Sequence, residues 1–292
     1  MQSIKACTKN KVFRHVLYAL FIISLLTVSC IPQKKFSNRV FTEALKNPEK
    51  VEILNLALDS THSDRSLPEE ISRFVNLKEL DGWQCAITDI PESIGKLQKL
   101  EKVNFRDNDL SGTGNQFTAL YLLPRLRYLN MSDNDVYSLS EFLWQDHIEV
   151  LDFSYNIIES IPDAIGNSVN LVELYLSHNY IKALPVQMAA LQKLKILDLS
   201  YNRLQTMPEI FGRYHQLKTL KLDHNFLSSL PASLADLSNL EMLDLSANNL
   251  ISASAFLTGL QNLKKLNLYG NKIPNDELAL IKTQLKNTDV IY

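Results

Sequence analysis

The side chains best suited to chemistry near neutral pH are two imidazoles, His178 and His224. Tyr201 lies midway between them and Tyr155 precedes His178, so Tyr155, His178, Tyr201 and His224 recur at one fixed interval, every twenty-third position. Histidines can ligate metal or move protons, but nothing nearby completes such a centre. The sequence has no H-E-x-x-H, no G-x-S-x-G, no paired C-x-x-C and no phosphate-cradling G-x-x-x-x-G-K-S/T, and only eight glycines. Its acidic residues recur at the same interval, which reads as a solvated face. If each interval is one strand, two histidines two strands apart stand roughly 10 Å apart. A zinc ion needs its ligands at about 2.0–2.1 Å. No catalytic residue, metal ligand or cofactor is expected. The chemistry left to these groups is recognition, in which exposed aromatic and cationic side chains carry most of the binding energy.

What must position them is a repeat. The blocks Leu171-Val-Glu-Leu-Tyr-Leu-Ser-His-Asn179, Leu194-Lys-Ile-Leu-Asp-Leu-Ser-Tyr-Asn202, Leu217-Lys-Thr-Leu-Lys-Leu-Asp-His-Asn225 and Leu240-Glu-Met-Leu-Asp-Leu-Ser-Ala-Asn248 follow one another at that same interval. Ten such units begin at Val51, Leu77, Leu100, Leu126, Ile148, Leu171, Leu194, Leu217, Leu240 and Leu263. A second feature keeps phase with them: Leu67-Pro68, Ile90-Pro91, Ile161-Pro162, Leu184-Pro185, Met207-Pro208 and Leu230-Pro231. L-x-x-L-x-L-x-x-N at this period resembles the leucine-rich repeat family. The resemblance implies an α/β solenoid over residues 51–273, with a parallel sheet on a concave side and short helical, 3₁₀ or extended segments on a convex side. The first, fourth and sixth positions should stack into a continuous core that one unit could not bury alone. The resemblance also implies a ladder of buried amides at the ninth position: Asn108, Asn134, Asn156, Asn179, Asn202, Asn225, Asn248 and Asn271. Asp59 and Cys85 hold that place in the first two units, and Cys85 reads as a small core residue.

The third, fifth, seventh and eighth positions are expected to face outward on the concave side. They place Trp83, Arg106, Tyr128, Tyr155, Tyr175, His178, Tyr201, Lys221, His224 and Tyr269 on one surface. The fifth position is mostly Asp or Asn, suited to hydrogen bonds along the ladder. Three units depart from the period: a long third unit with Gly112 and Gly114, read as a bulging loop, a fourth one residue short, and a ninth without its proline.

The ends carry other signals. Residues 1–29 hold Lys5, Lys9, Lys11 and Arg14 and then a mostly apolar run from Val16 to Ser29, the layout of a secretory signal peptide. That run stops at Leu26-Thr-Val-Ser-Cys30, which resembles the lipobox of bacterial lipoproteins, with Cys30 the lipidated residue. Cys7 leaves with the leader, so Cys85 then has no disulfide partner among the three cysteines. Without 1–29 the chain carries 26 basic against 32 acidic residues, net −6, so membrane attachment rests on Cys30 alone. There is no basic footprint for nucleic acid. Residues 30–50 are expected to be the lipidated cysteine, a tether and an N-terminal cap, with a helix over 41–47 that Pro48 ends. Residues 274–292 should form an amphipathic helix and cap the other end. Arrays of this kind mostly serve as recognition surfaces. The expected function is therefore a non-enzymatic, lipid-anchored module of the bacterial cell envelope, at the outer membrane or cell surface. Its concave face would bind a protein, or else a glycan. A structural envelope protein that self-associates is the alternative.

Overall fold

The computed structural model describes residues 38–58, 66–112, 117–139, 145–257 and 259–292. All of them lie in the compact unit Lys35–Tyr292. The leader, Cys30, Asp59, Gly114 and the segment 140–144 fall outside the described residues.

Eleven short parallel strands form one sheet: β1 (Ile53–Asn55), β2 (Glu79–Asp81), β3 (Lys102–Asn104), β5 (Tyr128–Asn130), β7 (Val150–Asp152), β8 (Glu173–Tyr175), β9 (Ile196–Asp198), β10 (Thr219–Lys221), β11 (Met242–Asp244), β12 (Lys265–Asn267) and β13 (Asp289–Ile291). Each pairs with its sequence neighbour in unbroken register; Leu174 sits opposite Leu197, and Leu197 opposite Leu220. Ten of these strands are the ten expected motifs. The eleventh, β13, follows the terminal helix Asn275–Gln284 and adds an edge strand that carries no repeat motif. The extra residues of the long third unit are not all loop. Ser111–Gly112 (β4) pairs in parallel with Asp135–Val136 (β6), as a second, two-stranded sheet.

The core follows the expected positions. Leu171, Leu174 and Leu176 are fully buried, as are Leu194, Leu197, Leu199 and Leu217, Leu220, Leu222. At Gly82 the sixth position has no side chain, and the Phe105 ring of the next turn occupies the space, 2.9 Å from where a Cβ would stand. The convex segments are single 3₁₀ turns, such as Glu69–Arg73, Glu92–Lys96, Asp163–Asn167, Val186–Ala190 and Ala232–Asp236. The prolines stand one residue before these turns, with φ of −69° at Pro91 and −72° at Pro185. The proline ring holds φ in this range and leaves no N–H, but the carbonyl is free to start the turn. Ile94 donates its N–H to the Pro91 carbonyl at 3.1 Å, and Met188 to that of Pro185 at 3.1 Å. Where the ninth unit lacks proline, Ser254–Leu257 forms an α-helical turn instead.

The asparagine ladder ties one turn to the next. Asn202 Nδ2 donates to the Leu176 carbonyl of the previous turn at 2.8 Å and to Leu199 and Ser200 of its own, while its Oδ1 accepts the Ile181 N–H at 3.0 Å. Asn108, Asn134, Asn156, Asn179, Asn225 and Asn248 repeat the pattern. Cys85 is buried and has no amide to send back to the sixth-position carbonyl of the first unit, Leu56. Asn38 supplies it from the N-terminal helix: its Nδ2 donates to the Leu56 carbonyl at 2.9 Å, and its Oδ1 accepts the Phe41 N–H at 2.9 Å. That helix, Arg39–Ala44, starts two residues earlier than expected and ends before Pro48. Phe41 packs edge-on against Phe74, ring centroids 5.4 Å apart.

Candidate binding face

The sheet turns its first, fourth and sixth positions inward, so its other positions build the opposite face. Not all of them face solvent. The seventh-position serines Ser132, Ser154, Ser177, Ser200 and Ser246 are buried, and so are Asn130 and Asp198 at the fifth. This corrects the expectation that fifth and seventh positions point outward throughout. The cause is a local turn at the end of each strand. The Asp198 carboxylate accepts both the N–H and the hydroxyl of Ser200, and Asp244 does the same for Ser246. These short polar side chains satisfy one another and fold flat onto the sheet. Long side chains at the same places still reach water: Trp83 is 45% exposed and Tyr269 66%, and Arg106 is exposed as well.

The eighth position is different. From Gln84 through Asp107, Asp133, Tyr155, His178, Tyr201 and His224 to Ala247, and at Gly270, every residue in this place has φ between 51° and 73°. The chain must leave the strand and turn the next residue, Asn, inward to the ladder. It does so through a left-handed residue at this place, and the second unit has a further one at Ala86. The eighth residue still donates its N–H across to the next turn, as Tyr201 does to Asp223 at 2.8 Å. Asn, Asp and His adopt this conformation more readily than most residues, whereas for a bulky residue it is strained.

Four successive left-handed positions carry rings, and the rings stack. Tyr155 and His178 have centroids 4.0 Å apart, His178 and Tyr201 4.1 Å, and Tyr201 and His224 3.9 Å, with planes within 11° of parallel. The sheet sets this geometry, since its strands are spaced about 4.8 Å apart and each ring leaves the backbone at the same φ. Tyr201 therefore fills the space between the two imidazoles. Tyr155 is 43% exposed and Tyr201 42%. His224 Nδ1 lies 3.0 Å from Asp223 Oδ2, a seventh-position carboxylate that was not among the expected face residues.

The other candidate residues stand apart from this column. The Tyr175 hydroxyl donates to Glu173 at 2.9 Å; burial, with the Glu173 carboxylate beside it, pushes the phenol up. Lys221 is bound to Asp198 at 3.0 Å. Lys102 lies over the Tyr128 ring at 5.2 Å. Trp83 and Arg106 lie on β2 and β3's side of the sheet and Tyr269 beyond β12, so they extend the face without joining the stack. One aromatic contact was missed: the Arg203 guanidinium sits 4.2 Å from the Tyr180 ring centroid. Both are tenth-position residues, one after the ladder Asn, and the repeat interval could have shown them.

Carboxylates dominate the floor beneath the column. Strands β7 to β11 and the residues just after them present Asp152, Glu173, Asp198, Asp223 and Asp244 against a single ammonium, Lys221. Burial pushes the Asp152 and Asp223 carboxyls above their usual range, and neighbouring carboxylates push in the same direction.

Comparison with known proteins agrees with this architecture. Residues 163–283 match a family profile described as a leucine-rich repeat region, and residues 147–168 match one described as Leucine Rich Repeat. The chain is 31% identical over 145 residues to the volume-regulated anion channel subunit LRRC8A of Rattus norvegicus, covering 50% of this chain and 15% of that one. It therefore spans about 15% of the length of such a curated relative. Among solved structures, the plant peptide hormone receptor RGFR1 in complex with RGF2 aligns with a TM-score of 0.66 and 27% identity, over 77% of this chain and 37% of that one. The functional domain of InlJ from Listeria monocytogenes aligns at TM-score 0.60 and 20% identity, over 82% and 58%. The fold is thus a leucine-rich repeat solenoid, and no helix of the described residues is long and apolar enough to cross a membrane.

Proposed function

We propose that this leucine-rich repeat chain is a recognition module. It binds a protein ligand on the open face of its sheet, is held at a bacterial envelope membrane by lipid on Cys30, and catalyses no reaction. The observation that carries the reading is the column Tyr155–His178–Tyr201–His224. A left-handed backbone costs an ordinary residue roughly 1–2 kcal/mol. Gly, Asn or Asp would serve the fold at these positions with less strain, as Gly270, Asp107 and Asp133 do in other units. Rings occupy four successive places and stay open to solvent. Stacking offsets part of the strain that falls on Tyr155 and Tyr201, since an aromatic pair contributes about 0.5–1.5 kcal/mol beyond its burial. A large, rigid, amphipathic surface is what such rings add, and interfaces use it. The peptide-hormone receptor that shares the fold supports a protein ligand over a glycan.

The test is capture by crosslinking from the native envelope. The wild-type chain is compared with a variant carrying Gly at 155, 178, 201 and 224, which keeps the left-handed turns unstrained. A partner held by the wild type and lost by the variant is expected. Equal capture by both would move the site off the column, and capture only of further copies of the chain would favour the self-associating alternative. Separately, Cys30→Ala is expected to abolish labelling by a fatty-acid analogue, and unchanged labelling would remove the lipid anchor.

A further inference from the structure

The stack ends abruptly. The next two places in the column are Ala247 and Gly270, both left-handed like the rest, with φ of 51° and 73°. His224 has one ring face on Tyr201, 3.9 Å away. Its other face looks toward Ala247, whose side chain is one methyl group, and the histidine side chain is 45% exposed. The result is a notch in the column, at the places of Ala247 and Gly270. Tyr269, 66% exposed, precedes Gly270 in the next turn, and its carbonyl accepts the Ala247 N–H. Asp223, bonded to His224, and Asp244, whose charge acts on Asp223, stand on its floor.

On the premise that this face binds a partner, as proposed above, we propose that the notch takes the guanidinium of an arginine side chain from a basic protein partner. The guanidinium would stack on the open face of His224, beside the carboxylates of Asp223 and Asp244. The occupant must be flat, because the place continues a column of parallel rings spaced about 4 Å apart. It must be cationic, because the carboxylates of Asp244 and Asp198 act on Asp223 here, and the neighbouring ammonium, Lys221, is already engaged by Asp198. Guanidinium meets both conditions, being planar, weakly hydrated and always charged, while an ammonium is a compact, strongly hydrated point charge. The same molecule already makes such a contact internally, with Arg203 lying 4.2 Å over Tyr180.

The experiment is a titration of the full-length chain, carrying ¹³C-labelled histidine, with acetylated triarginine amide. Trilysine and tricitrulline amides are the controls. Triarginine is expected to move the His224 ring resonances saturably, trilysine to bind several-fold more weakly, and tricitrulline to leave them unmoved. Ala247→Tyr, which would extend the column into the notch, is expected to abolish the shift. Asp223→Asn, which keeps the contact to His224, is expected to weaken it several-fold, and it decides the matter if the tyrosine variant fails to fold. Equal binding of triarginine and trilysine would overturn the proposal by reducing it to charge attraction. A phenylalanine peptide moving the same resonances more strongly would overturn it in favour of a ring. So would an unchanged titration in Asp223→Asn. A native partner lost by the four-glycine variant but kept by Ala247→Tyr would leave the binding face standing and remove only the arginine slot.

Discussion

Asn38 gives the sharpest test of how the solenoid is closed. Its side chain donates to the Leu56 carbonyl, which Cys85 leaves without an amide, and caps the first helix by accepting the Phe41 N–H. Replacing Asn38 by Ala strands a buried acceptor, at about 1–3 kcal/mol, and removes a helix cap, at about 1 kcal/mol. The expected total is about 2–4 kcal/mol. Cys85→Asn should return the first share and not the second. In the next unit Asn108 Nδ2 donates to Gly82 at 2.8 Å, the same contact one turn on. So in the Asn38→Ala background Cys85→Asn is expected to recover about 1–3 kcal/mol. In the wild type it should give less, because Asn38 already satisfies one of the two lone pairs of the Leu56 carbonyl. The assay is a double-mutant cycle by urea unfolding, with hydrogen exchange at 53–56 to localise the effect. The two sites share one carbonyl, so their effects should fail to add. A coupling energy within about 0.5 kcal/mol of zero, or an Asn38→Ala variant as stable as the wild type, would refute the substitution of one amide for another.

Three further outcomes are expected. Ser168 is fully buried, and its hydroxyl is without a hydrogen-bond partner among the described residues, at a place where Leu191 and Leu237 stand in other units. Ser168→Ala should therefore leave stability unchanged or raise it by up to about 1–2 kcal/mol; a clear drop in melting temperature would show that the hydroxyl is bonded. Tyr201→Gly should be more stable than Tyr201→Ala by about 1 kcal/mol, reversing the usual order, because the position is left-handed at φ 53°; chemical unfolding of the pair decides it, and the ordinary order would mean the backbone relaxes. Asp152 has its pKa raised by burial, so the stability tied to its protonated form is present below the unfolded carboxyl pKa and is lost as pH rises through the folded one. Asp152→Asn should accordingly gain on the wild type between acidic pH and neutrality, measured by urea unfolding at both; a gap that does not widen with pH would contradict the burial.

Much of this was legible in the chain itself. The fixed interval from Leu171 to Leu194 to Leu217 names the strands, and the ninth-position Asn names the ladder. The in-phase Leu-Pro pairs mark where each turn begins, as at Pro91 and Pro185. These are local patterns repeated, and a repeat fixes its own neighbours. Four features were not legible. Ser200 reads as a surface residue until Asp198 draws it down. Tyr201 carries no mark of a left-handed backbone, because that φ is imposed by turning Asn202 into the ladder. The stack of four rings exists only because successive turns share one register. Asn38 lies outside every repeat, and its role depends on Cys85, two turns into the array, lacking an amide. Sequence determined each turn, and the packing of turn on turn decided which side chains are held, strained or left open.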